Sequence, residues 1–397
     1  MRDVLTPTLE AWQRGEAVAV ATVIATWRSA PRPAGASMLV TVDGRVIGSI
    51  SGGCVESDVY EVCREVLATG TPQLRRYGVS DDDAFAVGLT CGGILDVFVE
   101  RISPDTFAGL DAVAHREREH APLAIATVVE HPDAAWVGRR LVVGDERAPV
   151  SADSSVSPAS SENTARIERN TLGSARADSA VHDDALGLLA LGESRTLAYG
   201  PDGQRRGEGM RVFVDAWAPP PRMIVFGAID FAAALAQAGA FLGYRVTVCD
   251  ARPLFATSSR FPGVEVVVEQ PHRYLAAEAD AGRLDARTVV AVLTHEPRFD
   301  VPVLEVALRL PLAYVGAMGS RRTHDDRLRR LREMGLSDAE LARLASPLGL
   351  DIGARTPAET AVSITAEIIA RRWGGSGSAL SDLNGPIHGH GESDDAD

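Results

Sequence analysis

Two cysteines sit in short glycine loops, Ser51-Gly52-Gly53-Cys54 and Thr90-Cys91-Gly92-Gly93. Glycine lacks a Cβ, so a bulky ligand can come close to the backbone in both places. From Val55 the apolar positions Val55, Val59, Val62, Cys63, Val66 and Leu67 follow a helical period. Cys54 is therefore expected beside a helix N-terminus, where free amides and the macrodipole favour a thiolate. Cys91 precedes Gly92-Gly93 and an apolar run from Ile94 to Glu100 that reads as a strand. Cys63, on the apolar helix face, and Cys249, at the end of a strand, read as core residues.

A structural zinc site is disfavoured, because it needs four ligands and neither loop cysteine has a CxxC partner. Two readings stay open for Cys54 and Cys91: soft thiolates gripping a soft metal or sulfur-bearing cofactor, or a redox thiol pair. Glu56 and Asp58 open the helix, where carboxylates suit the dipole. Arg28 and Arg32, in the loop Trp27 to Pro33, are candidates for holding an anion.

The chain has 397 residues, 45% hydrophobic and 24% charged, enough for two or three domains with real cores. Its net charge of −14 argues against nucleic acid or an anionic membrane as partner. It contains no lysine, which excludes a P-loop lysine and a Schiff-base mechanism. No run of about 20 apolar residues suggests a membrane helix, and no signal peptide is read. Four cysteines in this length point to a reducing cytoplasm.

Positioning these loops falls to an N-terminal unit, residues 1–218, expected to be α+β with an internal duplication. Ala19 to Val23 recurs as Ala124 to Val128, Met38-Leu39-Val40 as Leu141-Val142-Val143, and Val97 to Glu100 as Val212 to Asp215. Gly70, seven residues before Tyr77, recurs as Gly192 before Tyr199. The copies are set at 17–101 and 122–216, with a Ser-rich mobile insertion expected at about 151–180. The second copy lacks both glycine–cysteine loops, which marks them as functional rather than architectural.

Ala218-Pro219-Pro220-Pro221 is expected to be a stiff hinge. Beyond it, residues 219–373 read as a Rossmann-like, doubly wound parallel sheet: strands Met223–Phe226, Tyr244–Cys249, Val264–Val268, Thr288–Leu293 and Leu312–Val315 alternate with helical segments. Asp250 follows Gly227 by 23 residues, the place of a ribose-binding carboxylate. The glycine fingerprint is broken, because Ile229 and Ala232 stand where glycines belong and Asp230 puts a negative charge beside any phosphate. NAD(P) binding, and with it a nicotinamide-dependent oxidoreductase, remains the alternative. Gly316, Gly319, Ser320 and Arg321 form a second candidate anion site at a strand-to-helix turn. His295 and Asp300 follow a strand on the edge where such folds bind ligands. Thr356-Pro357-Ala358-Glu359 is a capping box serving structure alone. Residues 374–397 read as a disordered tail, with His388 and His390 in it.

These stretches resemble the XdhC/CoxI family. The resemblance is carried by Ser29 to Gly35, Ser51 to Glu56, Gly88 to Gly93, Leu293-Thr294-His295, Tyr314 to Arg322 and Pro347 to Gly353. It implies an accessory factor of a xanthine-dehydrogenase-type enzyme: a non-catalytic, cytoplasmic chaperone that binds molybdenum cofactor, supports its sulfuration and inserts it into a molybdenum hydroxylase. It also implies a sulfur donor protein as second partner and a homo-oligomer. On this reading Cys54 and Cys91 contact the metal end of the cofactor. Gly52, Gly53, Glu56, Gly92, Gly93 and Arg32 join them in the N-terminal unit. Gly227, Asp250, His295, Gly316, Gly319, Ser320 and Arg321 are the candidates in the second unit.

Overall fold

The computed structural model describes residues 1–27, 30, 32–78, 93–144, 171–294 and 296–384. The chain divides into two compact units at Pro219/Pro220, within the proline run.

The first unit is built on two antiparallel sheets. One contains β1 (Val18–Trp27), β2 (Ser37–Thr41), β3 (Val46–Gly48), β4 (Gln73–Tyr77) and β5 (Ile94–Ile102), in the order β3-β2-β1-β5-β4. The other contains β6 (Leu123–Glu130), β7 (Arg140–Gly144), β8 (Arg195–Tyr199) and β9 (Met210–Trp217), in the order β7-β6-β9-β8. That order repeats β2-β1-β5-β4 strand for strand. Both sheets also carry a register shift at the same place, between Val23 and Ala25 and between Val128 and Glu130.

Period-two alternation explains the layering. Ala19, Ala21 and Val23 of β1 face helix α2 (Glu56–Thr69), packing on Val59, Val62, Cys63 and Val66. In the second sheet Ala124, Ala126 and Val128 meet a helix at Ala175–Leu191. The opposite faces of the two sheets meet each other through Ile24, Phe98, Val129 and Phe213. Helices α1 (Leu5–Gln13) and α3 (Leu110–Arg118) close the side through Leu5, Leu110 and Val113. Among the described residues the α-helix after α3 is α4 (Ala175–Leu191).

Residues 175–180 correct the sequence reading of a mobile insertion over 151–180, because they form the first turns of α4. Ser174 caps the helix by accepting the Ala177 amide at 3.2 Å, and Ala177, Val181, Ala185 and Leu188 recur at helical spacing into the core. Their small side chains disguised the period. Residues 151–170 of that insertion lie outside the described residues.

The second unit is a six-stranded, wholly parallel sheet ordered β12-β11-β10-β13-β14-β15. Its strands are β10 (Arg222–Phe226), β11 (Arg245–Asp250), β12 (Glu265–Val268), β13 (Val289–Val292), β14 (Tyr314–Ala317) and β15 (Leu344–Ala345). Helices α5 (Asp230–Phe241) and α10 (Pro357–Trp373) cover the face of Met223 and Val225. Helices α6 (Pro271–Asp280), α7 (Pro297–Arg309) and α8 (Arg321–Glu333) cover the face of Ile224 and Phe226, while the short α9 (Asp338–Leu341) adds Leu341. The α/β doubly wound class expected from the alternation of elements is thus the observed one. The Thr356–Glu359 capping box is present, with Pro357 in the first turn. Residues 374–384 are exposed and carry one short 3-10 turn at Leu380–Asp382; the rest of the tail, with His388 and His390, lies outside the described residues.

Candidate functional site

The loop between β3 and α2 is organised by Glu56. Its carboxylate accepts the amides of Ser51 at 2.9 Å, Gly52 at 3.0 Å, Gly53 at 2.9 Å, Val55 at 3.2 Å and Ile50 at 3.3 Å. The Ser49 hydroxyl donates to it at 2.8 Å, and the Ser51 hydroxyl also donates to it. Burial works against the charge, but hydrogen bonds from Ser51 and Ser49 outweigh it and hold the Glu56 pKa down at about 2. The role is larger than the dipole complement expected of an acid in the first helical turn. Glu56 is the anion around which residues 50–55 are folded.

The amides of Gly52 and Gly53 therefore point inward to Glu56, while the side where their Cβ atoms would project is open, with nothing within 4 Å. Both glycines have positive φ, +81° and +119°. Cys54, next in the chain, is half-buried, and its amide donates to the Ser51 hydroxyl at 3.0 Å. The loop thus presents one thiol beside bare backbone on a frame that is already formed. Cys63 and Cys249 are buried thiols, each pushed up to about 12 by burial.

Cys91 and Gly92 lie outside the described residues, as do Arg28 and Ser29. Gly93 is buried directly ahead of β5. The ends of the segment that carries Cys91 are both described: β4 closes at Tyr77, which pairs with Leu95 of β5. The Tyr77 hydroxyl donates to Asp58 at 2.7 Å, tying that sheet end to the first turn of α2. Arg32 is engaged by Asp3 at 2.9 Å. Arg76, Asp96 and Arg211 were missed by sequence reasoning. Buried Asp96 holds Arg76 at 2.7 Å and Arg211 at 3.1 Å, and Arg76 lies 4.9 Å over the Trp27 ring. They are far apart in sequence and share no motif. Among the described residues no group of three or more His, Cys, Asp or Glu could hold a metal ion.

In the second unit the strand order reverses between β10 and β13, where Gly227 and Thr294 abut. A Cβ on Gly227 would lie 2.8 Å from the Thr294 methyl, so this glycine, at φ +110°, serves the close crossing of two loops. Asp250 departs from its expected role. Its two oxygens accept the Ala228 amide at 2.7 Å, the Arg252 amide at 2.9 Å, and Arg252 Nε and Nη2 at 3.0 and 2.9 Å. A carboxylate offers about four lone-pair positions, so none remains for a ribose diol. Burial opposes the charge, but Arg252 and the Ala228 amide keep the Asp250 pKa low. Asp230 is held by Arg260 at 3.0 Å, and Arg260 also donates to the Ala228 carbonyl at 3.0 Å. The turn that would receive pyrophosphate is therefore clamped by protein groups, and these residues do not fit a dinucleotide bound in the usual way.

Gly316 is packed against the Tyr314 ring, and Ser320 caps α8 by accepting the Thr323 amide at 3.1 Å. Gly319 lies beside Thr323, and Arg321 is exposed on the first turn. His295 lies outside the described residues. Asp300 accepts from Thr294 and pairs with Arg327 at 3.0 Å; both are almost wholly withdrawn from solvent. Arg327 also donates to the Met318 carbonyl and the Ser346 hydroxyl. This ion pair binds the loops after β13, β14 and β15 together.

A doubly wound α/β unit joined to a duplicated-order α+β unit with an exposed glycine–cysteine loop defines the class. The description "XdhC Rossmann domain" matches residues 223–368, and "XdhC and CoxI family" matches residues 11–78. The chain belongs to the XdhC/CoxI family. It is 29% identical over 359 residues to a protein of Bacillus subtilis (strain 168) named as a probable xanthine dehydrogenase subunit, covering 90% of this chain and 94% of that protein. It is 26% identical over 371 residues to the molybdenum cofactor insertion chaperone PaoD of Escherichia coli (strain K12), covering 94% and 88%. A crystal structure described as a xanthine dehydrogenase from Bacillus halodurans shares the fold, with a TM-score of 0.57 at 23% identity over 95% of this chain and 98% of that one. No helix among the described residues is long and apolar enough to cross a membrane.

Proposed function

We propose that the chain is a cytoplasmic accessory factor that carries molybdenum cofactor as cargo, supports its sulfuration and hands it to a molybdenum hydroxylase of the xanthine dehydrogenase type. One observation carries the reading: a half-buried cysteine, Cys54, on a pre-folded loop whose neighbouring glycines face open space. Likeness to a cofactor insertion chaperone over nearly the whole chain supports it. The cargo's metal end is rich in sulfur and soft, which suits a thiolate better than a carboxylate cage. Cys54 supplies the soft contact, Gly52 and Gly53 admit the guest, and Glu56 is a positioning residue. Cys91 joins from the segment between β4 and β5; the hydrogen bond from Tyr77 to Asp58 supports this, because it ties the end of β4 to the start of α2. A sulfur donor protein approaches the same opening, and the factor works as a homo-oligomer.

The test is purification of the full chain from cells making the cofactor, with bound molybdenum measured by mass spectrometry. Wild type and Cys63→Ala retain molybdenum, and Cys54→Ala loses most of it. Equal retention in Cys54→Ala would sink the reading. A reversible Cys54–Cys91 disulfide without bound molybdenum would replace it with a thiol redox role, and tight NAD binding without molybdenum would point to an oxidoreductase.

A further inference from the structure

A second opening in the first unit has no part in the reading above. It is a cleft of about 430 Å³ whose lining includes Glu100, Arg101, Phe107, Arg139 and Arg140. That volume is within the range of small-molecule sites, roughly 300–1,000 Å³. It lies at the far end of β5 from Gly93, about 25 Å along a strand rising about 3.3 Å per residue, and so is separate from the Cys54 loop.

Its charge is opposite to that of the protein. Three arginines and one glutamate line it, in a chain of net charge −14. Arg140 is neutralised by Glu100 and anchored to the Thr106 carbonyl at 2.9 Å. Arg139 donates its Nε to the Ala135 carbonyl and lies 5.5 Å over Trp136, which leaves its terminal nitrogens for another partner. Arg101 makes no ion pair with any described residue, and its Nε is buried without a hydrogen-bond partner. A buried donor left unsatisfied costs about as much as a lost hydrogen bond, so such a group calls for a partner.

The internal duplication shows, at the matching position of the unit, what the fold alone requires. Matching registers pair Glu100 with Asp215, because these residues face Val20 and Ile125 of the corresponding strands. The same registers set Arg101 against Ala216, Arg139 against Ala36 and Arg140 against Ser37. There the carboxylate is met by the Met1 amino group at 2.9 Å and Ser194 at 3.3 Å. Two alanines and a serine suffice for the architecture at that matching position, whereas the cleft, built like it from both halves, holds three arginines.

We propose that this cleft is a binding site for a small organic or inorganic oxyanion, phosphate or carboxylate, gripped by Arg101 and Arg139 over an Arg140–Glu100 floor. Forked guanidinium donors suit both anions. The test is calorimetric titration of the full chain with inorganic pyrophosphate and, separately, citrate. Wild type binds at least one of them, and the tighter identifies the oxyanion class. Arg101→Ala/Arg139→Ala, which installs the residues of the matching position, weakens binding at least about tenfold. Arg101→Gln/Arg139→Gln, which keeps side-chain bulk should the alanine pair unfold, weakens it likewise. Arg329→Ala/Arg330→Ala, an exposed pair on α8 held by Asp326, leaves it unchanged. No binding of either anion to wild type, or equal binding by the glutamine pair, overturns the proposal.

Discussion

Glu56 accepts the amide of Gly53 at 2.9 Å across the loop that bears Cys54. The carboxylate lies inside the turn rather than at its surface, so the shape of the loop depends on a charge. Its pKa is about 2 folded against 4.5 unperturbed, so the contribution to stability is full above about pH 4.5 and is lost as pH falls toward 2. Glu56→Gln keeps the size but not the charge. Amide exchange at residues 50–55 should speed up at neutral pH in this variant, and the difference in denaturation midpoint from wild type should shrink through that acid window.

Asp300 and Arg327 form a buried pair, and removing one partner strands the other charge. Arg327→Met should destabilise the second unit by about 3–5 kcal/mol. Asp300→Asn/Arg327→Met should lose less than the sum of the single changes. Chemical denaturation of the full chain, followed by a probe in the second unit, measures both.

Tyr77 donates to Asp58 at 2.7 Å and Tyr199 donates to Asp184 at 2.8 Å, one pair in each half of the first unit. Each Tyr→Phe change should cost about 1 kcal/mol, and the two should add, because the pairs share no partner. A double variant that deviates strongly from the sum would show coupling between the halves.

Gly227 and Gly52 both have positive φ but different surroundings. Gly227→Ala meets the Thr294 backbone and methyl at 3.0 and 2.8 Å and should cost several kcal/mol, seen as a large fall in Tm. Gly52→Ala meets open space and should cost only about 1–2 kcal/mol of backbone strain. On the proposed function it should nonetheless reduce bound molybdenum.

Cys63 and Cys249 are raised to about 12 by burial, so neither is a thiolate near pH 7. Iodoacetamide should leave both unmodified in the native protein and label both after denaturation, as read by peptide mass spectrometry. Native labelling of Cys63 would contradict the packing of α2.

Much of this arrangement is written locally. The β2–β3 hairpin around Gly44, the α2 period and the strand series of the second unit follow from alternation and glycine placement. What escapes a linear reading is set by partners distant in sequence or hidden by composition. Arg327 sits in a helix rich in charged residues that looks solvated throughout, yet it is buried. Asp250 has the right spacing for a ribose contact, but Arg252, two residues on, takes it; the Asp-Ala-Arg spacing was the available signal. Glu56 reads as a helix-start acid because nothing in its spacing shows that it reaches back over five amides. The three arginines of the cleft come from β5, the turn before β7 and β7 itself, and only the strand pairing gathers them.

The loop around Glu56 also bears on timing. A segment that encloses its own anion has already given up its conformational freedom before any guest arrives. Docking then exacts little further ordering, and departure restores little. On the proposed function, more of the contact energy is then left to hold the guest, so release waits on a client that competes for it.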